Sequence, residues 1–398
     1  MRSRYALVIL IVGTLSTTSA LGFGRFGYTM ILPSMKEGLK LSYTQMGLLG
    51  SGNFLGYLIF SLVGGLMATI YGPRRVISLS MFLVGMTMFL TGLAEGFAFA
   101  LAMRTLTGAG SGGVNVPVMS LPAAWFSTER RGMAAGVLVA GSGLGLIITG
   151  RLVPWIISLY GTEGWRYCWY YLGLFILTVG LASFAFLRDV PAEKGPLLQM
   201  GRDGPSEKTS AWFLVFKNRR LWHLAAIYFL FGFSYIIYAT FFAASLILDG
   251  LSPEAAGRIW ALVGLLSISS GFIFGTFSDY IGRERALALV FGMHAIAYFT
   301  FSLTKSPGGY YISAILFGLS AWSIPSIMAA TVGDYSGSQL APAALGFITV
   351  IFGIGQAIGP GISGFIADLT SSFSLAFSLA GVAASLGTWG SWRLRSKE

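Results

Sequence analysis

Gly275-Thr-Phe-Ser-Asp279-Tyr-Ile-Gly282-Arg283-Glu284-Arg285 closes one apolar run and opens the next. A similar stretch, Gly65-Leu-Met-Ala-Thr-Ile-Tyr-Gly72-Pro-Arg74-Arg75, stands earlier, and 275 minus 65 sets the two 210 residues apart. The same offset carries Gly22, Phe23 and Tyr28 onto Gly232, Phe233 and Tyr238, and Gly108 onto Gly318. It also carries Gly136, Gly143 and Gly145 onto Gly346, Gly353 and Gly355. In a chain with 54 glycines a single such match is chance, but one ungapped offset serving four pairs of segments marks a repeat. Two parallel copies of one unit, packed about a common axis, follow from it.

The unit is made of membrane helices. Of 398 residues, 55% are hydrophobic and 10% charged, and the mean hydropathy is +0.74; a soluble domain carries about 25% charged residues. A crossing helix needs about 20 mostly apolar residues. Twelve such stretches are present: 5–32, 44–70, 76–94, 97–124, 132–158 and 166–187, then 221–248, 256–278, 286–304, 309–332, 343–367 and 374–392. The first run, behind Arg2 and Arg4, continues to Leu32, too long for a signal-peptide core, so it reads as a crossing helix. Residues 188–220, with three prolines and mixed charges, read as a linker between an N-terminal bundle, 1–187, and a C-terminal one, 221–398.

The net charge of +11 has a membrane explanation, with no nucleic acid partner. With the N-terminus inside, 18 Lys and Arg fall on the cytoplasmic side and 5 outside, the other three of the 26 lying within spans. That bias predicts cytoplasmic termini and a cytoplasmic linker. Cys168 is the sole cysteine, so an intrachain disulfide is ruled out. No paired carboxylates, His/Cys metal spacing or Ser-His-Asp set falls within the spans, which argues against an enzyme, a metal site or a cofactor.

Gly275-x-x-x-Asp279-x-x-Gly282-Arg283-x-Arg285 resembles the loop signature of the major facilitator superfamily, normally found between its second and third helices. Arg104-Thr-Leu-Thr-Gly108-Ala-Gly110 is similar to that superfamily's helix-4 signature, and Gly353-Ile-Gly355-Gln-Ala-Ile-Gly359-Pro360 to its Gly-Pro signature. Gly22-Phe-Gly24-Arg25-Phe-Gly27-Tyr28-Thr29 and Gly333-Asp334-Tyr335 look like an uncharacterised bacterial branch of it. The resemblance implies an all-α integral membrane fold of two six-helix bundles related by a pseudo-twofold axis. It also implies transport by alternating access and a gating role for Arg75, Asp279, Arg283 and Arg285. The first copy departs from the pattern: Thr69 stands where the family has Asp.

A charge inside a bilayer is costly unless it faces a cavity or a partner. All fifteen acidic residues lie in loops or at helix ends, whereas the three charges well within spans are Arg25, Arg104 and Arg151. The resemblance places helices 1 and 4 on the central cavity, which would then be electropositive. Arg25 maps onto Tyr235 and stands eight residues before Pro33, a placement similar to the substrate arginine of organophosphate antiporters. Thr14, Thr18, Leu21, Arg25 and Tyr28 or Thr29 form one stripe at helical spacing. Arg25 either binds a ligand or else caps carbonyls or snorkels outward; Arg104 either contributes to binding or coupling or bonds neighbouring backbone. Asn115, Tyr235, Tyr238, Trp322 and Gln356 are the neutral candidates, each equally explicable as packing. Arg151 reads as interfacial, and His294 as a bundle histidine or a proton site.

The resulting expectation is a monomeric secondary transporter of a small organic anion, such as a carboxylate, in a bacterial cytoplasmic (inner) membrane. A coupling proton or a counter-anion would accompany it. An exporter of amphipathic or lipid-like compounds is the alternative, and a membrane sensor retaining the fold a third.

Overall fold

The computed structural model describes residues 2–127, 130–189 and 215–394, and within them all regular structure is helical. The first crossing consists of α1 (Arg2–Thr17), a π-helical segment (Thr18–Phe26) and α2 (Tyr28–Leu39). Then come α3 (Tyr43–Tyr71), α4 (Pro73–Gly92), α5 (Phe97–Trp125), α6 (Arg131–Tyr160) and α7 (Gly164–Phe186). Beyond the undescribed segment follow α8 (Arg219–Leu248), α9 (Pro253–Ile281), α10 (Arg283–Leu303), α11 (Pro307–Ser320), α12 (Ser323–Thr370) and α13 (Ser374–Trp392). Nine helical stretches among the described residues are long and apolar enough to cross a membrane, one of which, Arg131–Phe186, turns back at Gly161 and so holds two crossings. With α5 and α13, the arrangement is consistent with twelve crossings.

The repeat is also written in the backbone. Among the described residues seven have positive φ, and six of them pair at the offset of 210: Lys40 with Gly250, Gly72 with Gly282, and Gly161 with Ser371. At Gly72 and Gly282 the φ values are 86° and 92°, a region that a side chain rarely tolerates, which explains why both loop motifs hold glycine there. The seventh, Gly337, interrupts α12 with φ 71° and ψ 163°.

Two features depart from the sequence expectation. The span 309–332 is not continuous: it breaks at Ala321–Trp322 between α11 and α12. Pro325 lacks the N–H that would bond the Ala321 carbonyl, so the break has a local cause. The first crossing carries a π-helical segment, closed by Gly27 N–H donating to Gly22 O at 2.8 Å, an i→i−5 bond.

The crossings pack tightly at one end of the molecule and splay at the other. At the end bearing the turns at Lys40 and Gly250, α3 lies against α12 so closely that Gly47 and Gly364 have no room for a Cβ beside Pro360 O and Tyr43 O. Gly150 of α6 likewise meets the Gly257 carbonyl of α9, and Gly143 meets Gly264. A polar latch joins this end: the Asp368 carboxylate accepts from Tyr43 N at 2.7 Å, Thr44 N at 2.8 Å and Thr44 Oγ1 at 2.5 Å. It thereby caps the N-terminus of α3, where the helix dipole favours a negative charge. Toward the other end of the same helices the copies part: Gly65 of α3 meets only Val116 and Gly275 of α9 only Ser326, each within its own copy. The structure is therefore closed at the Lys40/Gly250 end and open at the Gly72/Gly282 end.

Candidate functional site

The site lies where the first crossing meets α8, beneath the closed end. Its centre is Arg25, 8% exposed and carried on the π-helical segment. The guanidinium sits 4.4 Å from the ring centroids of both Phe54 and Tyr57 of α3. Two aromatic faces hold a cation through their quadrupoles while leaving its in-plane N–H groups available. One of these, Nη2–H, donates to Tyr235 Oη of α8 at 3.1 Å, so the repeat-equivalent positions meet directly. Gln356 Nε2 of α12 donates to the same hydroxyl. Asn115 Nδ2 of α5 donates to Tyr57 Oη at 2.8 Å, which fixes that wall of the slot. Trp322, at the break between α11 and α12, packs on Phe26 at 5.3 Å and stands edge-on to Tyr235 at 6.2 Å. Its indole Nε1 is buried without a partner among the described residues, as is Arg25 Nε. Toward the open end, Tyr228 stacks on Phe352 at 4.3 Å.

Arg25, Asn115, Tyr235, Trp322 and Gln356 are thus brought together, with contributions from both copies of the repeat. Arg104 lies behind them, fully buried, with Nη1 donating to Gly24 O at 2.9 Å and the guanidinium 4.8 Å from Tyr28 and 4.9 Å from Trp169. The backbone-bonding reading of Arg104 therefore holds for one of its nitrogens. On the first crossing, Arg25, Tyr28 and Thr29 of the stripe line one small cavity, but their polar atoms bond different partners. Thr29 Oγ1 donates to Ala239 O of α8 at 2.5 Å, while Tyr28 turns inward and donates to Met46 O at 2.8 Å. Tyr28 lines that cavity with Arg25 but, like its repeat-equivalent Tyr238, spends its hydroxyl on another partner. Tyr238 is fully buried, paired with Ser313 Oγ at 2.8 Å and surrounded by Tyr298, Phe301 and Phe317. His294 is buried in the same half, between Phe231, Tyr298 and Phe317, and Arg151 is exposed.

Phe54 and Tyr57 were not among the expected residues. The available signal was the polar-aromatic set Asn53, Phe54 and Tyr57 on an otherwise apolar helix.

At the open end, Arg283 pairs with Asp279 at 2.5 Å and Asp334 at 3.2 Å, and Tyr335 Oη donates to Glu284 at 2.9 Å. All of these contacts lie within the second copy. In the first copy Arg74, not Arg75, makes the contacts: its N–H donates to Asp189 Oδ1 at 2.7 Å and its Nε to Phe184 O at 2.8 Å. Asp189 thus supplies the carboxylate at the start of α4 in the copy where Thr69 replaces the signature Asp. Arg75 and Arg285 are exposed.

A family model described as the uncharacterised MFS-type transporter YbfB matches residues 17–389. The chain belongs to this family. This MFS-type transporter is 27% identical over 376 residues to the hexuronate transporter of Bacillus subtilis (strain 168), covering 90% of this chain and 87% of that protein. It is 25% identical over 390 residues to the probable sulfoacetate transporter SauU of Cupriavidus necator, covering 91% and 88%. In fold it is similar to the inward-facing, unoccupied crystal structure of a bacterial homologue of the human lysosomal transporter Spinster, with TM-score 0.78, 17% identity and coverage of 98% and 97%. The MFS-type transporter is accordingly a multi-pass membrane protein that works as a secondary carrier, as its loop and helix signatures implied.

Proposed function

We propose that the chain carries a small organic anion across a bacterial cytoplasmic membrane, with Arg25 as the ligand for its acid group. The observation that carries this reading is the setting of Arg25. A buried guanidinium stands at the junction of the two copies, held flat by Phe54 and Tyr57 and bonded to a neutral hydroxyl instead of a carboxylate. Burying a cation without a counter-charge is costly, and an arriving carboxylate, sulfonate or similar group removes that cost by taking paired N–H bonds. Tyr235, Gln356, Asn115 and Trp322 supply neutral polar atoms around the same point. The names of the relatives, a hexuronate carrier and a probable sulfoacetate carrier, point the same way. An exporter of amphipathic or lipid-like compounds fits less well, because Arg25 and Arg104 at the apex would burden a pathway for apolar cargo.

In this reading residues 1–187 and 221–398 rock against each other about the site, joined by the cytoplasmic linker 188–220, most of which lies outside the described residues. The Lys and Arg distribution puts the open end, with both termini, in the cytoplasm. Asp368 on the N-terminus of α3 would latch the outer face. The contacts of Asp279, Arg283 and Asp334 would rearrange when the inner face closes, with Arg75 and Arg285 free to engage. The working unit is a monomer, and a proton or a counter-anion balances the charge moved.

Counterflow in vesicles tests this. Purified wild-type protein should exchange a labelled organic acid found by ligand-induced stabilisation, and Arg25→Gln should lose exchange while remaining folded. Arg25→Lys should be impaired, since an ammonium offers a point charge instead of two parallel bonds. Removing the partner of a buried anion costs roughly 2–5 kcal/mol. Folded Arg25→Gln protein with near-normal anion affinity would overturn the assignment.

A further inference from the structure

Behind Arg25, on its closed-end side, a small cavity is lined by Arg25, Arg104, Asn53, Phe54, Tyr28 and Thr240 among others, with about 10 Å³ available to the centre of a water-sized sphere. Its chemistry is lopsided. Arg25 Nε, Arg104 Nε and Arg104 Nη2 are buried without partners among the described residues, and together they hold four N–H bonds. Asn53, another lining residue, has an unpartnered acceptor in Oδ1, its amide being held by Nδ2–H donation to the Arg104 carbonyl at 3.0 Å, and the hydroxyls of Tyr28, Thr29 and Thr240 line the cavity too. No carboxylate is among the lining residues. Arg104 is fully buried and Arg25 is 8% exposed, so solvent does little to screen either charge.

We infer that this cavity is a second anion subsite, in which Arg104 and Arg25 jointly hold one small anionic acceptor. A water molecule could donate to Asn53 Oδ1 and to a lining hydroxyl such as that of Thr240, but it is neutral and leaves both guanidinium charges uncompensated. An anion accepts only, and it relieves the repulsion between two like charges on one cavity wall. The acceptor is either a free halide or a single oxygen atom of an acid group of the transported molecule, with the other acid group on the open side of Arg25. The inference rests on the proposed function only in its second form; a halide site stands without it.

The test uses purified full-length protein in detergent, at fixed ionic strength with sulfate as the balancing anion, which is too bulky for a one-water cavity. Thermal midpoints are measured against chloride and bromide, and affinities are measured for matched mono- and dicarboxylates. A saturable rise in midpoint with either halide identifies the free-ion form. No halide effect, with the dicarboxylate binding at least about tenfold more tightly than the monocarboxylate, identifies the substrate form. Because Arg104→Gln risks misfolding, Asn53→Asp is the second arm: it adds a carboxylate to the cavity wall, so it should abolish whichever effect the wild type shows. Indifference to halide together with equal binding of mono- and dicarboxylates would overturn the subsite, as would an Asn53→Asp protein that keeps the wild-type effect. If organic acids bind through Arg25 and neither effect is seen, this inference alone falls. If a halide stabilises but no organic acid binds, the proposed function falls and the subsite remains.

Discussion

Replacing Asp368 by Asn should open the closed end. The carboxylate accepts three hydrogen bonds from Tyr43 N, Thr44 N and Thr44 Oγ1, at 2.7, 2.8 and 2.5 Å, across the seam between the first and second copies. Asparagine keeps one acceptor oxygen, and its amide nitrogen turns a donor toward other donors. With that oxygen in the Oδ2 place the two Thr44 bonds survive at neutral strength; the Tyr43 N bond, worth about 1.5–3 kcal/mol to a charged acceptor, is lost, and so is the charge assistance of the other two. The favourable charge at the N-terminus of α3, worth about 0.3–1 kcal/mol, goes with them. Asp368 is exposed, so water replaces much of this, and the net loss comes to about 1–2 kcal/mol. The loss falls on one conformation only, because the latch cannot exist once the halves part, so the equilibrium should shift toward the outward-open state by about 5- to 30-fold. The assay places a cysteine at Thr240, which is 3% exposed beneath the seam, in a Cys168→Ser background and follows labelling by an impermeant reagent from that side. The rate should rise by the same factor in Asp368→Asn, and by less in Thr44→Val, which removes a single bond. An unchanged rate in a folded Asp368→Asn protein would refute the latch.

Tyr235→Phe should weaken substrate binding by about 1 kcal/mol, one neutral hydrogen bond. Tyr238→Phe should lower the thermal midpoint through its Ser313 bond and leave affinity unchanged; equal effects on affinity would remove the distinction between site and core. Asp189→Ala should destabilise the first copy by about 1 kcal/mol, the usual worth of a helix cap, read as a lower unfolding midpoint without altered selectivity.

Crossings and repeat were legible because a bilayer imposes long apolar runs and because close helix contacts impose glycine. The centre of the candidate site, Arg25, could be singled out as well, since a cation in an apolar span needs a reason. The π turn inside the first crossing was hidden, since an i→i−5 bond leaves no trace in hydropathy, and helical spacing does not tell that the Tyr28 hydroxyl goes to Met46 O. The repeat held a clue to the placement of Tyr28 and Tyr238. They are each other's equivalents, and both are buried within their own copies, whereas Arg25 and Tyr235 differ and meet at the seam. The break before Ser323 was foreshadowed by Pro325. The carboxylate that Asp189 brings to α4 was not legible, because it comes from the far end of α7 and no local pattern links the two.

The paired turns bear on how such a carrier can move. From Lys40 to Gly72 and from Gly250 to Gly282 the chain advances 32 residues, and from Gly72 to Gly161 and from Gly282 to Ser371 it advances 89. Between its turns, therefore, neither copy has gained or lost a residue relative to the other. Lysine at 40 and serine at 371 take positive φ where their counterparts are glycine, so the sign of φ is shared across each pair although the residue is not. Two bodies with equal rod lengths and matched corners can tilt about a shared pivot without one sliding past the other along the membrane normal. Neither would drag its aromatic or charged ends through the hydrocarbon. An insertion in one copy alone would upset that balance, and the stroke itself thus constrains the spacing between turns.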